Sequence, residues 1–216
     1  MKTKIGIIGS GVVARVLGDG FLKYGYEVML GTRDTNKLSD WLASGKGKAG
    51  SFSEAAAFGD IIVLAVKGTM ANSALQMAGK ANHAGKIVID ATNPIADMPP
   101  GNGVLQYYTS FGDSQMERLQ EAFPESRFVK AFNSVGNNFM VDPDFDGIKP
   151  TMFICGNDPE ARKGVTAILD QFGWETEDMG AAEAARAIEP LCILWCIPGF
   201  TKNSWNHAFK LLKKQG

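Results

Sequence analysis

Lys4-Ile5-Gly6-Ile7-Ile8-Gly9-Ser10-Gly11-Val12-Val13-Ala14 opens the chain, and Tyr26-Glu27-Val28-Met29-Leu30-Gly31-Thr32-Arg33 follows one helix-length later. A short apolar run meets a Gly-x-Gly-x-x-Ala turn, then a helical pattern, then a second apolar run ending in Thr-Arg. Strand, tight turn and helix in that order are the context in which a glycine-rich turn binds a dinucleotide. Gly9 permits a sharp exit from the first strand. Gly11 lets the backbone approach a pyrophosphate without an intervening side chain. Ala14 stands where a third small residue lets helix and strand pack closely. The helix N-terminus offers unpaired N–H groups and the positive end of its dipole to an anion.

The corner after the second run points to one cofactor. An NAD-type protein places an acid there for the ribose hydroxyls. Here Thr32 and Arg33 occupy it, and the first acid is Asp34. A hydroxyl beside a planar, permanently charged guanidinium suits the 2'-phosphate of NADP, and Lys37 adds charge one turn later. The bland alternative is a glycine-rich turn beside an ordinary surface arginine.

At 216 residues the chain fits a single domain, 1–216, closed by a helical tail from about residue 181. Its 45% hydrophobic and 21% charged residues suit a folded globular protein. A formal net charge of -1 gives no electrostatic case for nucleic acid or an acidic membrane. Cys155, Cys192 and Cys196 make no metal-like C-x-x-C pair, and the last two, four residues apart, read as helix core. With no disulfide framework, a reducing, cytoplasmic setting is expected. Met1-Lys2-Thr3-Lys4 before apolar residues mimics a leader, yet the glycine turn explains the same residues better. No apolar run approaches the roughly 18 residues of a membrane span.

The rest of the chain alternates. Strand-like runs lie at Lys4–Ile8, Glu27–Gly31, Ile61–Val66, Lys86–Asp90, Phe128–Phe132 and Met152–Cys155. Helical patterns lie at about Val12–Tyr24, Lys37–Ala43, Ser53–Phe58, Met70–Lys80, Ser114–Ala122 and Pro159–Phe172. Alternation of this kind predicts an α/β, Rossmann-type doubly wound, mainly parallel sheet with C-terminal helices. Asn93–Gly112 and Asn133–Pro150 are long loops leaving strand ends, where such folds bind ligands. Ala181–Ile197 reads as an amphipathic helix, Pro198-Gly199 as a breaker, and Ser204–Lys214 as a final basic helix.

Beyond the glycine turn, Val129-Lys130-Ala131-Phe132-Asn133, Phe153-Ile154-Cys155-Gly156-Asn157-Asp158 and Ala187-Ile188-Glu189-Pro190-Leu191 carry a resemblance. The chain resembles the NADPH-dependent deazaflavin (coenzyme F-420) reductase family. It is similar also to the cytosolic oxidoreductase domain of the STEAP-type metalloreductases. The resemblance implies hydride transfer between NADPH and a flavin-like ring stacked on the nicotinamide. It implies that Gly9, Ser10, Gly11, Val12 and Val13 line the pyrophosphate turn, and that Thr32, Arg33 and Lys37 hold the 2'-phosphate. It places Ala65, Val66 and Lys67 near the ribose, and Asn93, Pro94, Ala131 and Asn133 near the nicotinamide. After the fourth strand the chain has Lys67-Gly68 where deazaflavin users tend to carry Pro and an aromatic and STEAP-type domains a His, so the acceptor stays open: flavin, deazaflavin or another small redox molecule.

Hydride transfer to such a ring needs proximity and stacking more than an acid–base pair. Accordingly, His83 in Asn82-His83-Ala84-Gly85 reads as a surface turn residue and His207 as structural. No catalytic triad order or metal-ligand spacing is present. Asn133 either orients a carboxamide or ring edge or caps a turn. Lys67 either contacts phosphate or is solvated. Trp195, Phe200 and Trp205 either wall a ring-binding cleft or pack at an interface. A homodimer through the C-terminal helices is expected, and a monomer mass by light scattering would remove that expectation. Two other functions fit: a non-catalytic NADP(H) sensor, and an imine or 2-oxo-acid reductase, for which too little chain remains after Asp178.

Overall fold

Lys4–Ile8 forms β1 at the middle of a six-stranded parallel sheet ordered β3-β2-β1-β4-β5-β6. The other strands are β2 (Glu27–Gly31), β3 (Lys48–Gly50), β4 (Ile61–Leu64), β5 (Ile87–Asp90) and β6 (Arg127–Lys130). The computed structural model describes residues 2–43, 45 and 47–214; Met1, at the head of the leader-like stretch, lies outside them. Nine helices of the described residues cover the sheet: α1 (Val12–Lys23), α2 (Ser39–Ala43), α3 (Phe52–Phe58), α4 (Ala71–Ala78), α5 (Lys80–His83), α6 (Gln115–Ala122), α7 (Pro159–Gln171), α8 (Ala185–Ile188) and α9 (Leu191–Lys202).

Burial on both faces explains the apolar strand runs. Ile7, Val63, Ile89 and Val129 join one core with Leu17, Phe21 and Trp174. Their neighbours Ile8, Ile62, Leu64, Val88 and Phe128 join a second core with Met116 and Leu119 on the opposite face. The period-two alternation of strand side chains therefore serves two cores. The strand order reverses between β1 and β4, so the crevice beyond their carboxyl ends is the topological switch point.

Several expectations change. The run at Met152–Cys155 is strand β7 (Thr151–Ile154), but it stands outside the main ladder. It pairs in parallel with a polar strand, β8 (Glu175–Asp178), which the sequence pattern does not announce. One antiparallel bridge, Lys130 to Cys155, joins this ribbon to β6. Near Ser53 the helix start is Ser51, whose hydroxyl and Glu54 form a reciprocal capping box. Asp158 caps α7, accepting from Ala161 N at 2.7 Å.

Pro198-Gly199 does not break α9, which runs on to Lys202. Gly199 is required there because an added Cβ would stand 2.2 Å from the Trp205 ring. Residues 204–214 are not helical. They run along β7, with Thr151 N donating to Phe209 O at 2.8 Å and Lys210 Nζ to Glu175 Oε2 at 2.8 Å. Trp195 stacks on His207, donates to its carbonyl oxygen at 2.8 Å, and receives His207 Nε2 on its own carbonyl at 2.8 Å. Trp195, Phe200 and Trp205 pack on one another in this knot. Leu194 and Phe200 keep exposed flanks.

His83 is not a surface residue: it is 1% exposed. Its Nδ1 lies 2.7 Å from the Ser126 hydroxyl and its Nε2 3.3 Å from Leu75 O. A polar ring of this size is buried because both nitrogens find partners.

Candidate cofactor site

The glycine turn is fixed by what surrounds it. Gly9 has φ +147°, and an added Cβ would lie 2.2 Å from Ala65 O, so only glycine fits. Its N–H donates to Gly31 O at 3.0 Å, and Ala65 N donates to Ile8 O at 2.9 Å, which ties β1, β2 and β4 together at one end. Gly11 is the reverse case. An added Cβ there meets nothing within 4 Å, because the position faces an open cleft. Gly11 also heads α1 with no side-chain cap on the helix N-terminus and no acid in the first turn. The free N–H groups and the dipole of a twelve-residue helix therefore point into that cleft.

The cleft has a volume of about 510 Å³. Gly9, Ser10, Gly11, Val12 and Val13 form its floor; Thr32, Arg33 and Lys37 one side; Ala65, Val66 and Lys67 another. All eleven expected residues of the adenosine and pyrophosphate half thus converge. Asp34, Phe52, Met70, Ala74, Met77 and Ala91 line it too and were missed. Three of them carried a signal: Met70, which heads α4, and Ala74 and Met77 within it follow an i, i+4, i+7 stripe. Met70 and Met77 remain 36% and 46% exposed, which leaves an apolar slot for a flat ring.

Side-chain partners separate the roles after β2. The Thr32 hydroxyl donates to Asp34 O at 3.1 Å and accepts from Asp34 N at 3.2 Å, so it shapes the corner. Asp34 turns its carboxylate to Asn36 N at 3.1 Å, heading a 3-10 turn over Thr35–Leu38. Arg33 and Lys37 are exposed, and neither side chain forms an ion pair among the described residues. Many other surface cations do, as in Lys23–Asp142, Arg118–Asp113 and Arg186–Glu117.

The expected nicotinamide half is arranged differently. Lys67 forms an exposed ion pair with Asp97 of the loop after β5. Asn93 is half-buried, while Pro94, Ala131 and Asn133 are buried and do not line the 510 Å³ cleft. Asn133 Nδ2 donates to Asn93 Oδ1 at 3.2 Å and to Ile188 O at 3.0 Å, and Asn93 Nδ2 returns a bond to Asn133 O at 2.8 Å. Asn133 Oδ1 is buried with no partner among the described residues. Below it lies Lys130, 0% exposed, bonded to Asp90 Oδ2 at 2.6 Å, Glu189 Oε1 at 3.0 Å and Thr92 O at 2.9 Å. Burial alone pushes the Lys130 ammonium down, but Asp90 and Glu189 together hold it above its ordinary value. Glu189 also accepts from Gln115 N and Met116 N, each at 3.0 Å, at the N-terminus of α6. One acid from the tail thus locks α6, β5 and β6 beneath the site.

The same architecture recurs in a solved structure from Arthrobacter sp. FB24, provisionally described as an F420-dependent NADP reductase. The identity is 30%, the TM-score 0.90, and the match covers 99% of this chain and 100% of that one. This chain belongs to the coenzyme F420-dependent NADP oxidoreductase family. The family profile itself, NADP oxidoreductase coenzyme F420-dependent, matches residues 4–94, from β1 through the turn after β5. An F420-dependent NADP reductase from Methanocaldococcus jannaschii is 30% identical over 139 residues, 64% of this chain and 61% of that protein. Metalloreductase STEAP3 of Rattus norvegicus is 30% identical over 199 residues, 90% of this chain. The chain spans only 38% of that metalloreductase. Membership makes the protein one of an NADP-dependent oxidoreductase family. Among the described residues no helix is long and apolar enough to cross a membrane, and no cluster of potential metal ligands occurs.

Proposed function

We propose that this F420-dependent-reductase relative binds NADPH in the 510 Å³ cleft and transfers hydride between it and a flavin-like or deazaflavin ring. One observation carries the cofactor half: Arg33 and Lys37, without ion-pair partners among the described residues, flank an uncapped helix N-terminus in a cleft whose one lining acid, Asp34, turns its carboxylate to Asn36 N. In this reading the α1 N–H groups and the bare Gly11 backbone hold the pyrophosphate. Arg33 and Lys37 hold the 2'-phosphate, with Thr32 fixing their corner. Met70, Ala74 and Met77 flank the adenine. Ala65, Val66 and Lys67 border the ribose, and Asn93 borders the nicotinamide, backed by Pro94, Ala131 and Asn133.

Bound NADPH supplies the hydride. The chain's part is to fix the ring's position against the acceptor. Asn133 serves as a positioning residue that holds Asn93 and the end of α8 from beneath the site.

Calorimetric titration with NADPH and NADH tests the reading. Arg33→Ala is expected to weaken NADPH by roughly 1.5–3 kcal/mol, the scale of a charge-assisted contact, and to leave NADH nearly unchanged. Equal losses overturn the 2'-phosphate assignment. Oxidation of bound NADPH is then followed with FMN, FAD, a deazaflavin and a ferric chelate. Tight binding with turnover of none of them replaces the enzyme by an NADP(H) sensor.

A further inference from the structure

Arg15 lies on α1 one residue past Ala14 and is not among the residues that line the cleft. Its guanidinium nevertheless joins the cleft's two walls. Arg15 Nε donates to Ser10 O at 3.3 Å, on the glycine turn, and Arg15 Nη2 donates to Lys37 O, on the 3-10 turn after β2. Asp19, one turn further along α1 and in reach of Arg15 by helical spacing, instead accepts from Trp41 Nε1 at 2.9 Å. Two polar ties from one helix face therefore hold the whole arm from Thr32 to Ala43. That arm carries Arg33 and Lys37, whose own side chains make no ion pair among the described residues. Packing reinforces the second tie: an added Cβ at Gly18 would lie 3.5 Å from the Trp41 ring.

We infer that Arg15 is a specificity-determining positioning residue: by bolting Lys37 O to Ser10 O it sets the distance between the pyrophosphate turn and the 2'-phosphate arm, and so sets the preference for a 2'-phosphorylated cofactor. The inference rests on the reading of Arg33 and Lys37 given above. Its physical content is preorganisation. Long exposed cations hold phosphate well only when the backbone beneath them is fixed. The two acceptors are backbone carbonyls at a partly open surface, and water can take over both when the guanidinium is gone, so the fold itself does not depend on Arg15.

The test compares binding of adenosine 2',5'-bisphosphate with adenosine 5'-monophosphate, and of NADPH with NADH, to wild type, Arg15→Ala, Arg15→Lys and Trp41→Phe. Arg15→Ala is expected to lose about tenfold for the 2'-phosphorylated member of each pair and less than about threefold for the other, with the thermal midpoint nearly unchanged. Trp41→Phe, which removes the Nε1 tie to Asp19, shifts the ratio in the same direction. Arg15→Lys, which keeps charge but reaches one carbonyl, falls between wild type and Arg15→Ala. If wild type discriminates and Arg33→Ala abolishes discrimination, but Arg15→Ala weakens both members equally or neither, the inference fails while the cofactor reading stands. If wild type shows no discrimination, the cofactor reading fails and takes the inference with it.

Discussion

Lys130 shows how one side chain can be decided by its surroundings. The sequence presents it as a charge closing an apolar strand, and the family resemblance drew notice to the motif rather than to the residue. In the fold it is fully enclosed, with Asp90 and Glu189 at 2.6 and 3.0 Å. Two carboxylates against one ammonium would leave a net buried negative charge. The N–H groups of Gln115 and Met116 at the start of α6, both given to Glu189, offset it. Replacing the lysine alone removes the cation and leaves both acids in place. Lys130→Met is therefore expected to lower the free energy of unfolding by about 3–5 kcal/mol, the cost of breaking a buried pair from one side. Urea denaturation measures it, and wild-type stability in the variant would show that the cluster contributes nothing to the fold. Neither the triad nor the Asn93–Asn133 pair was legible, because each joins residues 40 or more positions apart. The glycine turn was legible because its reasons are local: a bend, a bare backbone and a helix start within six residues.

Elements followed the same division. β1, β2, α1 and α7 were readable from short-range pattern and caps. β3 is three residues long, too short for any periodicity. β8, Glu-Thr-Glu-Asp, is a strand only because β7 lies beside it and lysines 210 and 213 of the tail pair with its acids. The 204–214 segment has a helix-like pattern that contacts with β7 and Trp195 override, as tertiary packing commonly overrides propensity. α5 offers a test at this scale. His83 at its end links Leu75 of α4 to Ser126, just before β6. A carbonyl only accepts, so Nε2 carries a proton, and in the neutral ring Nδ1 is then left to accept from the serine hydroxyl. Burial holds the His83 pKa below its ordinary 6.5, the Leu75 contact opposing in part. The unfolded chain therefore binds the extra proton first. This stabilisation is complete above pH 6.5 and is lost as pH falls from there through the lower folded value. Midpoints of urea unfolding are expected to decline over that window in wild type, and less steeply in His83→Gln. Identical slopes in the two proteins would rule out His83 as the titrating link.

Across the whole molecule charge is nearly balanced, at -1, yet it is unevenly placed. Ten surface cations of the described residues answer a carboxylate, whereas Arg15, Arg33 and Lys37 gather at one side of the switch-point cleft with none, beside the positive end of α1. Under the proposed function only this local field would distinguish NADPH from NADH, since the glycine turn and the methionine slot would meet groups that both cofactors share. Contacts between exposed charges are screened within about 10 Å at 0.1 M salt, while burial of a flat ring against Met70 and Met77 is not. Raising sodium chloride from about 0.05 to 0.5 M should therefore weaken NADPH far more than NADH and narrow the ratio between them. Thermal shift reads this directly, because a ligand at 100 times its Kd stabilises by about 2.7 kcal/mol and the gain falls as Kd rises. At fixed ligand concentrations chosen to give equal saturation at low salt, the NADPH-induced rise in Tm is expected to shrink with salt while the NADH-induced rise holds. A salt-independent ratio would mean that the 2'-phosphate is read by buried or neutral groups rather than by the exposed arm, and the selectivity would then have to be sought among the Thr32–Asp34 backbone contacts.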